Sequence, residues 1–122
     1  MRTPVAVVED DPGVRRLIVR TLESGGYRVV SAADAVEALE RVAGKEAETD
    51  LLVSDVVMPK LSGLELARRL RERNPRLRVL LISGFPDRVV DDTPPPFVDG
   101  FLQKPFAPRT LLEKVREVLG DA

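Results

Sequence analysis

The sequence predicts an α/β fold in which a parallel sheet carries helices on both of its faces. Short apolar runs rich in β-branched residues alternate along the chain with segments whose apolar residues recur at helical spacing. The strand-like runs are almost continuously apolar, which is typical of strands buried on both faces of a parallel sheet. The alternating order and the right-handed crossovers that it requires then favour a doubly wound arrangement.

Five strands and four helical segments can be placed in order. Strands are predicted at residues 5–8, 28–31, 51–54, 79–83 and 101–103. The first helix carries an apolar stripe and ends at Gly25-Gly26, the stripe being Val14, Leu17, Ile18, Thr21 and Leu22. Further helical stripes cover residues 35–43, 64–70 and 111–119. Five strands in this order fit the flavodoxin-like sheet order 2-1-3-4-5, and residues 1–122 are predicted to form one domain.

Composition excludes several classes of function. The net charge of −1 provides no positive field for nucleic acid, so the arginines of residues 68–78 are interpreted as a solvated helix face and its exit. No apolar run approaches 18 residues and the start lacks a signal-peptide core, so we expect no membrane insertion. The absence of cysteine suits a reducing cytoplasm. The absence of histidine removes imidazole sites, so any metal must bind to oxygen ligands.

Charged and polar side chains follow the predicted strands. Glu9 and Asp10 follow the first strand, Asp55 the third, and Ser83 closes the fourth, while Lys104 follows the fifth. In such sheets the working site lies beyond the carboxyl ends of the strands. Two carboxylates about 4 Å apart repel by roughly 4 kcal/mol at an effective dielectric near 20, which a hard divalent cation such as Mg²⁺ offsets. The cluster therefore predicts a phosphate site with a metal, in which Asp55 is the nucleophile.

Four segments resemble the signature segments of response-regulator receiver domains: VVEDDPGVRR, DLLVSDVVMPKLSG, VLLISGF and GFLQKPF. They occur in the family's order and cover nearly the whole chain. The resemblance implies that Asp55 is the phospho-acceptor and that Glu9 and Asp10 are the acidic pair. Asp10 would bind Mg²⁺ directly, Glu9 would act through water, and the backbone carbonyl of Val57 would complete the protein ligands.

The resemblance also implies a switch and a partner. Ser83 stands at the switch hydroxyl position, Phe101 at the switch aromatic position, and Lys104 at the position of the family's lysine, joined to Pro105 by a cis bond. The phosphoryl group would come from a histidine kinase or a histidine phosphotransfer protein in the cytoplasm. The domain would promote only its own phosphorylation and dephosphorylation. Phosphorylation would shift a two-state equilibrium and change a protein-interaction surface.

Alternatives remain open from the residues alone. Asp11 is interpreted as the N-cap of the first helix, and Asp10 could share that role. A Mg²⁺-dependent phosphatase of similar topology would carry an Asp-x-Asp pair, whereas Asp55 is followed by two valines. A pseudo-receiver would never take phosphate. The chain could be a stand-alone regulator, since no output domain is expected after Ala122, or one receiver of a hybrid histidine kinase.

The segment between the fourth and fifth strands departs from the family pattern. Receiver domains usually carry a full helix there, but this chain has three consecutive prolines at residues 94–96. Proline cannot occupy a helix interior without breaking it. We therefore predict that this helix is absent or reduced to one or two turns around residues 87–92.

Overall fold

The computed structural model describes residues 2–84 and 96–120, and their strands form one parallel sheet in the order β2-β1-β3-β4-β5. This order confirms the predicted topology. Each strand begins or ends within one residue of its predicted position. The strands are β1 (Pro4–Val8), β2 (Arg28–Ala32), β3 (Leu51–Asp55), β4 (Arg78–Ser83) and β5 (Gly100–Gln103).

Within the described residues, four α-helices and one 3₁₀ turn connect or follow these strands. They are α1 (Pro12–Ser24), α2 (Ala35–Val42), the 3₁₀ turn (Glu46–Glu48), α3 (Gly63–Arg73) and α4 (Pro108–Leu119). Side-chain oxygens of Asp11, Asp34 and Ser62 accept backbone N–H bonds at the starts of the first three helices. Asp11 thus has the capping role predicted for it. The helix predicted around residues 87–92 lies outside the described residues.

The helices divide between the two faces of the sheet. One buried cluster joins α2 and α3 to the sheet through residues such as Ala38, Leu66 and Leu81. The other joins α1 and α4 to the opposite face through residues such as Ile18, Leu80 and Leu111. Alternate residues of β1 point into the two clusters, so the sheet is covered on both sides as predicted.

Two details differ from the sequence prediction. The apolar stripe of α1 includes Leu17, but this residue is 40% exposed, because Val14, Ile18 and Leu22 already fill the contact with the sheet. β2 lies at one edge of the sheet formed by the described residues and is not buried on both faces, since its residues alternate between exposed and half-buried up to Ala32. Across the described stretches, none of the helices combines the length and apolar character that a membrane crossing requires.

Candidate functional site

The sequence-predicted acids meet at the carboxyl edge of the sheet. Asp55 is the last residue of β3, while Glu9 and Asp10 come directly after β1. One carboxylate oxygen from each of these acids lies within 4.8 Å of the others. Parallel strands bring their carboxyl ends to the same edge, so the pairing of β1 with β3 is what creates this cluster.

Lys104 joins the acids from the end of β5. Its ammonium donates a hydrogen bond to Asp55 Oδ2 at 3.1 Å and lies 2.5 Å from Glu9 Oε1. The contact with Glu9 is an ion pair without hydrogen-bond geometry, so Oε1 has no hydrogen-bond partner among the described residues. Burial lowers the pKa of Lys104, but the contacts with the carboxylates of Glu9 and Asp55 outweigh burial, and the net pKa lies above the ordinary lysine value. The Lys104-Pro105 bond is cis, as the resemblance implies.

Glu9 is the most buried acid of the cluster, at 1% exposure. Burial raises the pKa of Glu9 to about 7, although the contact with Lys104 acts in the opposite direction. The negative charge of Asp55 raises it further. Glu9 Oε2 accepts a bond from the Asp11 N–H at 3.1 Å, which leaves Oε1 directed at the cluster.

The donor set fits a hard divalent cation. Three carboxylates converge, and the buried Glu9 Oε1 has the Lys104 ammonium beside it but accepts no hydrogen bond from the described residues. Oxygen ligands of this kind are those that Mg²⁺ prefers. Asp10 is exposed, so one side of the cluster is open to solvent and to a second reactant. Val57, whose carbonyl is the fourth predicted ligand, follows Asp55 in the loop to α3, and its N–H donates to Asp55 Oδ1 at 3.3 Å.

The backbone of Asp55 is held by two contacts that the sequence did not reveal. The Ser54 hydroxyl, fully buried, donates to the Asp55 carbonyl at 2.9 Å. Gly63 at the start of α3 approaches the same carbonyl so closely that a Cβ there would lie 2.1 Å from its oxygen. The Gly63 N–H also donates to the Val56 carbonyl at 2.9 Å, which closes the loop between β3 and α3. These contacts fix the position from which the Asp55 side chain projects.

The two predicted switch residues lie on neighbouring strands. Ser83 ends β4 and is 4% exposed, and its carbonyl accepts the Lys104 N–H at 2.8 Å. Phe101 is half-buried on β5 and packs against the cluster that contains α2 and α3. Ser83 therefore lies at the acidic edge, and Phe101 lies on the strand that leads to Lys104.

Arg15 is a further residue that the sequence analysis did not single out. Its guanidinium donates from Nη1 to the Glu9 carbonyl at 2.8 Å, so α1 supports the turn that carries the acidic pair. An arginine one turn into an amphipathic helix gives no sequence signal for such a contact, because its partner is a backbone atom.

The comparisons with known proteins agree with this geometry. The model of the response regulator receiver domain family matches residues 5–116. The sensor kinase CckA of Brucella abortus (strain 2308) is 42% identical over 116 residues, which are 94% of this chain but 12% of that protein. The response regulator receiver protein CpdR of the same strain is 36% identical over 94% of this chain and 95% of its own length. The chain thus spans a small part of one relative and nearly all of another.

Solved structures give the same result. The receiver domain of the hybrid histidine kinase CckA superposes with a TM-score of 0.82 at 35% identity, covering 95% of this chain and 98% of that domain. The response regulator TrrA of Thermotoga maritima, solved in complex with Mg²⁺ and BeF, also has a TM-score of 0.82, at 28% identity and with coverage of 95% and 98%. With five parallel strands in the order 2-1-3-4-5 and three acids at their carboxyl edge, the chain belongs to the response regulator receiver domain family of two-component signalling.

Proposed function

We propose that Asp55 of this receiver domain accepts a phosphoryl group from a phosphohistidine of a histidine kinase or a histidine phosphotransfer protein. A bond forms between an Asp55 carboxylate oxygen and phosphorus while the phosphorus–nitrogen bond of the donor breaks, and the electron pair returns to the donor imidazole. The observation that carries the proposal is the contact of Asp55 Oδ2 with Lys104 Nζ at 3.1 Å inside a cluster of three acids. An aspartate alone at a strand end would not have both the lysine and the acidic pair beside it.

Mg²⁺ is the proposed cofactor. The carboxylates of Glu9, Asp10 and Asp55 would hold it together with the Val57 carbonyl. When bound, the ion would neutralise charge on the transferred phosphoryl oxygens. TrrA, a structural relative of this chain, was crystallised in complex with Mg²⁺, which supports the assignment.

The chain's own groups would then position the reaction. The Lys104 ammonium would move from Glu9 and Asp55 toward the phosphoryl oxygens, because those oxygens carry the greater charge. The Ser83 hydroxyl would donate to one of the same oxygens. Its movement would make room for Phe101 to turn inward and alter the surface around β5. The support for this step is the position of Ser83 and Phe101 on adjacent, paired strands, where Ser83 lies opposite Gln103 and Phe101 opposite Leu81.

Receiver domains are generally phospho-acceptors rather than enzymes acting on other substrates. We extend this to the present chain, with self-catalysed phosphorylation and dephosphorylation as its only chemistry. We further propose that it acts in the cytoplasm through a protein partner, without nucleic acid. The absence of cysteine supports a cytoplasmic location, and the net charge of −1 supports a partner other than nucleic acid.

The test is incubation with acetyl phosphate and Mg²⁺, followed by mass measurement of the intact protein. We expect one added phosphoryl group on the wild-type chain and none on Asp55→Asn. Asp11→Asn is a matched control, because it also removes one carboxylate beside the site while asparagine caps a helix as well as aspartate does. Omission of Mg²⁺ should suppress the addition.

Two outcomes would contradict the proposal. A wild-type chain that takes no phosphoryl group from acetyl phosphate or from a phosphorylated histidine donor would be a pseudo-receiver. Repeated turnover of small phosphate esters, retained in Asp55→Asn, would instead point to a phosphatase that uses a different nucleophile.

A further inference from the structure

We propose that the free edge of β2 is a docking site for an extended acidic segment of a partner protein, which adds to the sheet as a further strand. This surface is separate from the Asp55 edge, and the inference does not depend on phosphorylation. Three observations carry it: the main-chain groups of an outermost strand, an exposed apolar side chain on that strand, and a basic groove on each side of it.

The main chain of β2 has unused hydrogen-bonding capacity. β2 pairs in parallel with β1, and the end bonds of this ladder run from the Arg28 N–H to the Thr3 carbonyl and from the Glu9 N–H to the Ala32 carbonyl. Because the backbone alternates along a strand, even-numbered residues bond to β1 while Val29 and Ser31 turn their N–H and C=O groups outward. In the sheet formed by the described residues, no strand lies beyond β2. An extended peptide can pair with these outward groups.

An apolar anchor lies at the middle of the same strand. Val30 is 42% exposed, although it sits within a β-branched run. A solvent-exposed outermost strand with such a residue is the arrangement that invites pairing with another chain. Arg28, at the start of β2, is the only charge on the strand itself, so it does little to prevent approach along its length.

The first groove lies between β2 and α1. Its volume is about 340 Å³, and the side chains at its rim include Arg15, Arg16, Arg20, Glu23 and Ser31. Arg16 and Arg20 are four residues apart and therefore occupy the same side of α1. Among the described acids, none lies within ion-pair distance of either of them.

The second groove lies on the other side of β2, toward α2. Its volume is about 270 Å³, and its lining includes Arg28, Val30, Arg41, Lys45 and Glu48. Arg41 pairs with Glu37 at 3.2 Å, but both side chains are largely exposed and can exchange partners at little cost. A strand added at β2 would direct alternate side chains toward the two grooves.

Charge identifies the occupant. The two grooves together present six basic and two acidic side chains, whereas the whole chain has a net charge of −1, so this positive surface is local. Acidic side chains on an added strand would meet arginine or lysine on either side, which favours both encounter and register. A second copy of this chain paired through its own β2 would instead bring arginines against arginines. The geometry therefore favours an acidic peptide over self-association.

The first experiment uses a fluorescently labelled peptide of alternating glutamate and valine, about eight residues long, which can direct its glutamates toward Arg16 and Arg20 and its valines toward Val30. We expect binding by fluorescence anisotropy at low salt, weakened as salt is raised. Two further peptides carry the same side chains with N-methyl groups on one or the other set of alternate backbone nitrogens. One of them should lose binding, because its methyl groups face β2. Equal binding of both methylated peptides and the parent would overturn strand addition and leave only charge attraction.

The second experiment changes the receptor. Arg16→Glu combined with Arg20→Glu should weaken peptide binding at least about tenfold, equivalent to about 1.4 kcal/mol. Arg109→Glu combined with Arg116→Glu on α4 is the matched control and should stay within about twofold. Equal losses in both double variants would refute a local site. A readout that needs no variant is the NMR chemical shifts of the wild-type backbone amides. We expect the shifts of Val29 and Ser31 to change when the peptide is added.

Two more outcomes decide the matter. Sedimentation tests self-association. If the protein forms a dimer that Val30→Lys converts to monomers and that the peptide does not disrupt, the β2 edge is a dimer interface and the inference fails. The peptide titration is repeated on Asp55→Asn, where we expect unchanged affinity. Binding that disappears in Asp55→Asn would place the peptide at the acidic edge of the sheet and would also overturn the inference.

Discussion

Replacement of Gly63 by alanine tests whether the start of α3 fixes the backbone of Asp55, the proposed phospho-acceptor. A Cβ at this position would lie 2.1 Å from the Asp55 carbonyl oxygen and 3.0 Å from the Ser54 hydroxyl, whereas real Cβ atoms do not approach within 3.0 Å. The start of α3 and the Asp55 backbone must therefore separate by about 1 Å, which the close packing of the protein interior resists. Overpacking of this kind costs about 1–3 kcal/mol. Helix propensity alone would predict the opposite sign, since alanine is favoured over glycine by about 1 kcal/mol inside a helix.

The loss should appear in two measurements. Urea unfolding followed by circular dichroism should give a free energy of unfolding lower by about 1–3 kcal/mol. Phosphorylation of Asp55 by acetyl phosphate should slow by up to about 100-fold, because a displacement near 1 Å disrupts alignment of the reacting atoms. Gly13→Ala is the matched control, since Gly13 also lies in the first turn of a helix but its added Cβ would meet only the Asp11 carboxylate at 3.3 Å. A Gly63→Ala protein with wild-type stability and phosphorylation rate would refute this reasoning.

Three other perturbations test the surrounding structure. Lys104→Met should lower the free energy of unfolding measured without metal by about 1–3 kcal/mol, because the buried carboxylates of Glu9 and Asp55 lose their cation. Added Mg²⁺ should then raise the stability of this variant more than that of the wild type. Equal effects of Mg²⁺ on both proteins, measured by denaturation with and without a chelator, would contradict this. Asn74→Ala should cost about 2 kcal/mol in urea unfolding, because the buried Asn74 amide donates to two carbonyls around the 3₁₀ turn; Asn74→Asp should not restore it. The pKa of Glu65 is lowered to about 2 by Arg68, so its contribution to stability is complete above the ordinary value of 4.5 and is lost only as pH falls through about 2. Carboxyl titration by NMR should show this, and Arg68→Gln should move the Glu65 midpoint upward.

The sequence was sufficient for the topology because the informative signals were local. The apolar run of β3 and the cap at Ser62 each depend on a few neighbouring residues, so strand positions followed to within one residue and helix positions to within about three. The convergence of Asp55 and Lys104 followed from the rule that parallel strands end at one edge. Their ion pair at 3.1 Å agrees with that expectation.

Contacts to backbone atoms could not be foreseen in the same way. Ser54 reads as one polar residue in a strand, and nothing in its neighbours reveals that its hydroxyl meets the Asp55 carbonyl. The exposure of Leu17 does not follow from the sequence, because the apolar stripe on α1 is wider than its contact with the sheet. The half-exposed β2 was missed because strands of continuous apolar character were expected to be buried on both faces, although the predicted order 2-1-3-4-5 places β2 at an edge of the sheet. Each of these facts depends on pairs of residues distant in sequence or on atoms that the sequence pattern does not describe.

The ammonium of Lys104 between two of the three acids has a consequence for ion selectivity. With all three carboxylates ionised, the pocket holds three negative charges and one positive charge, which leaves an imbalance of two. A sodium or potassium ion can cancel only half of that imbalance, whereas a single divalent ion cancels all of it. If the proposed Mg²⁺ site is correct, the lysine would set the ionic charge that the pocket matches, and ionic radius would have only to discriminate among divalent ions.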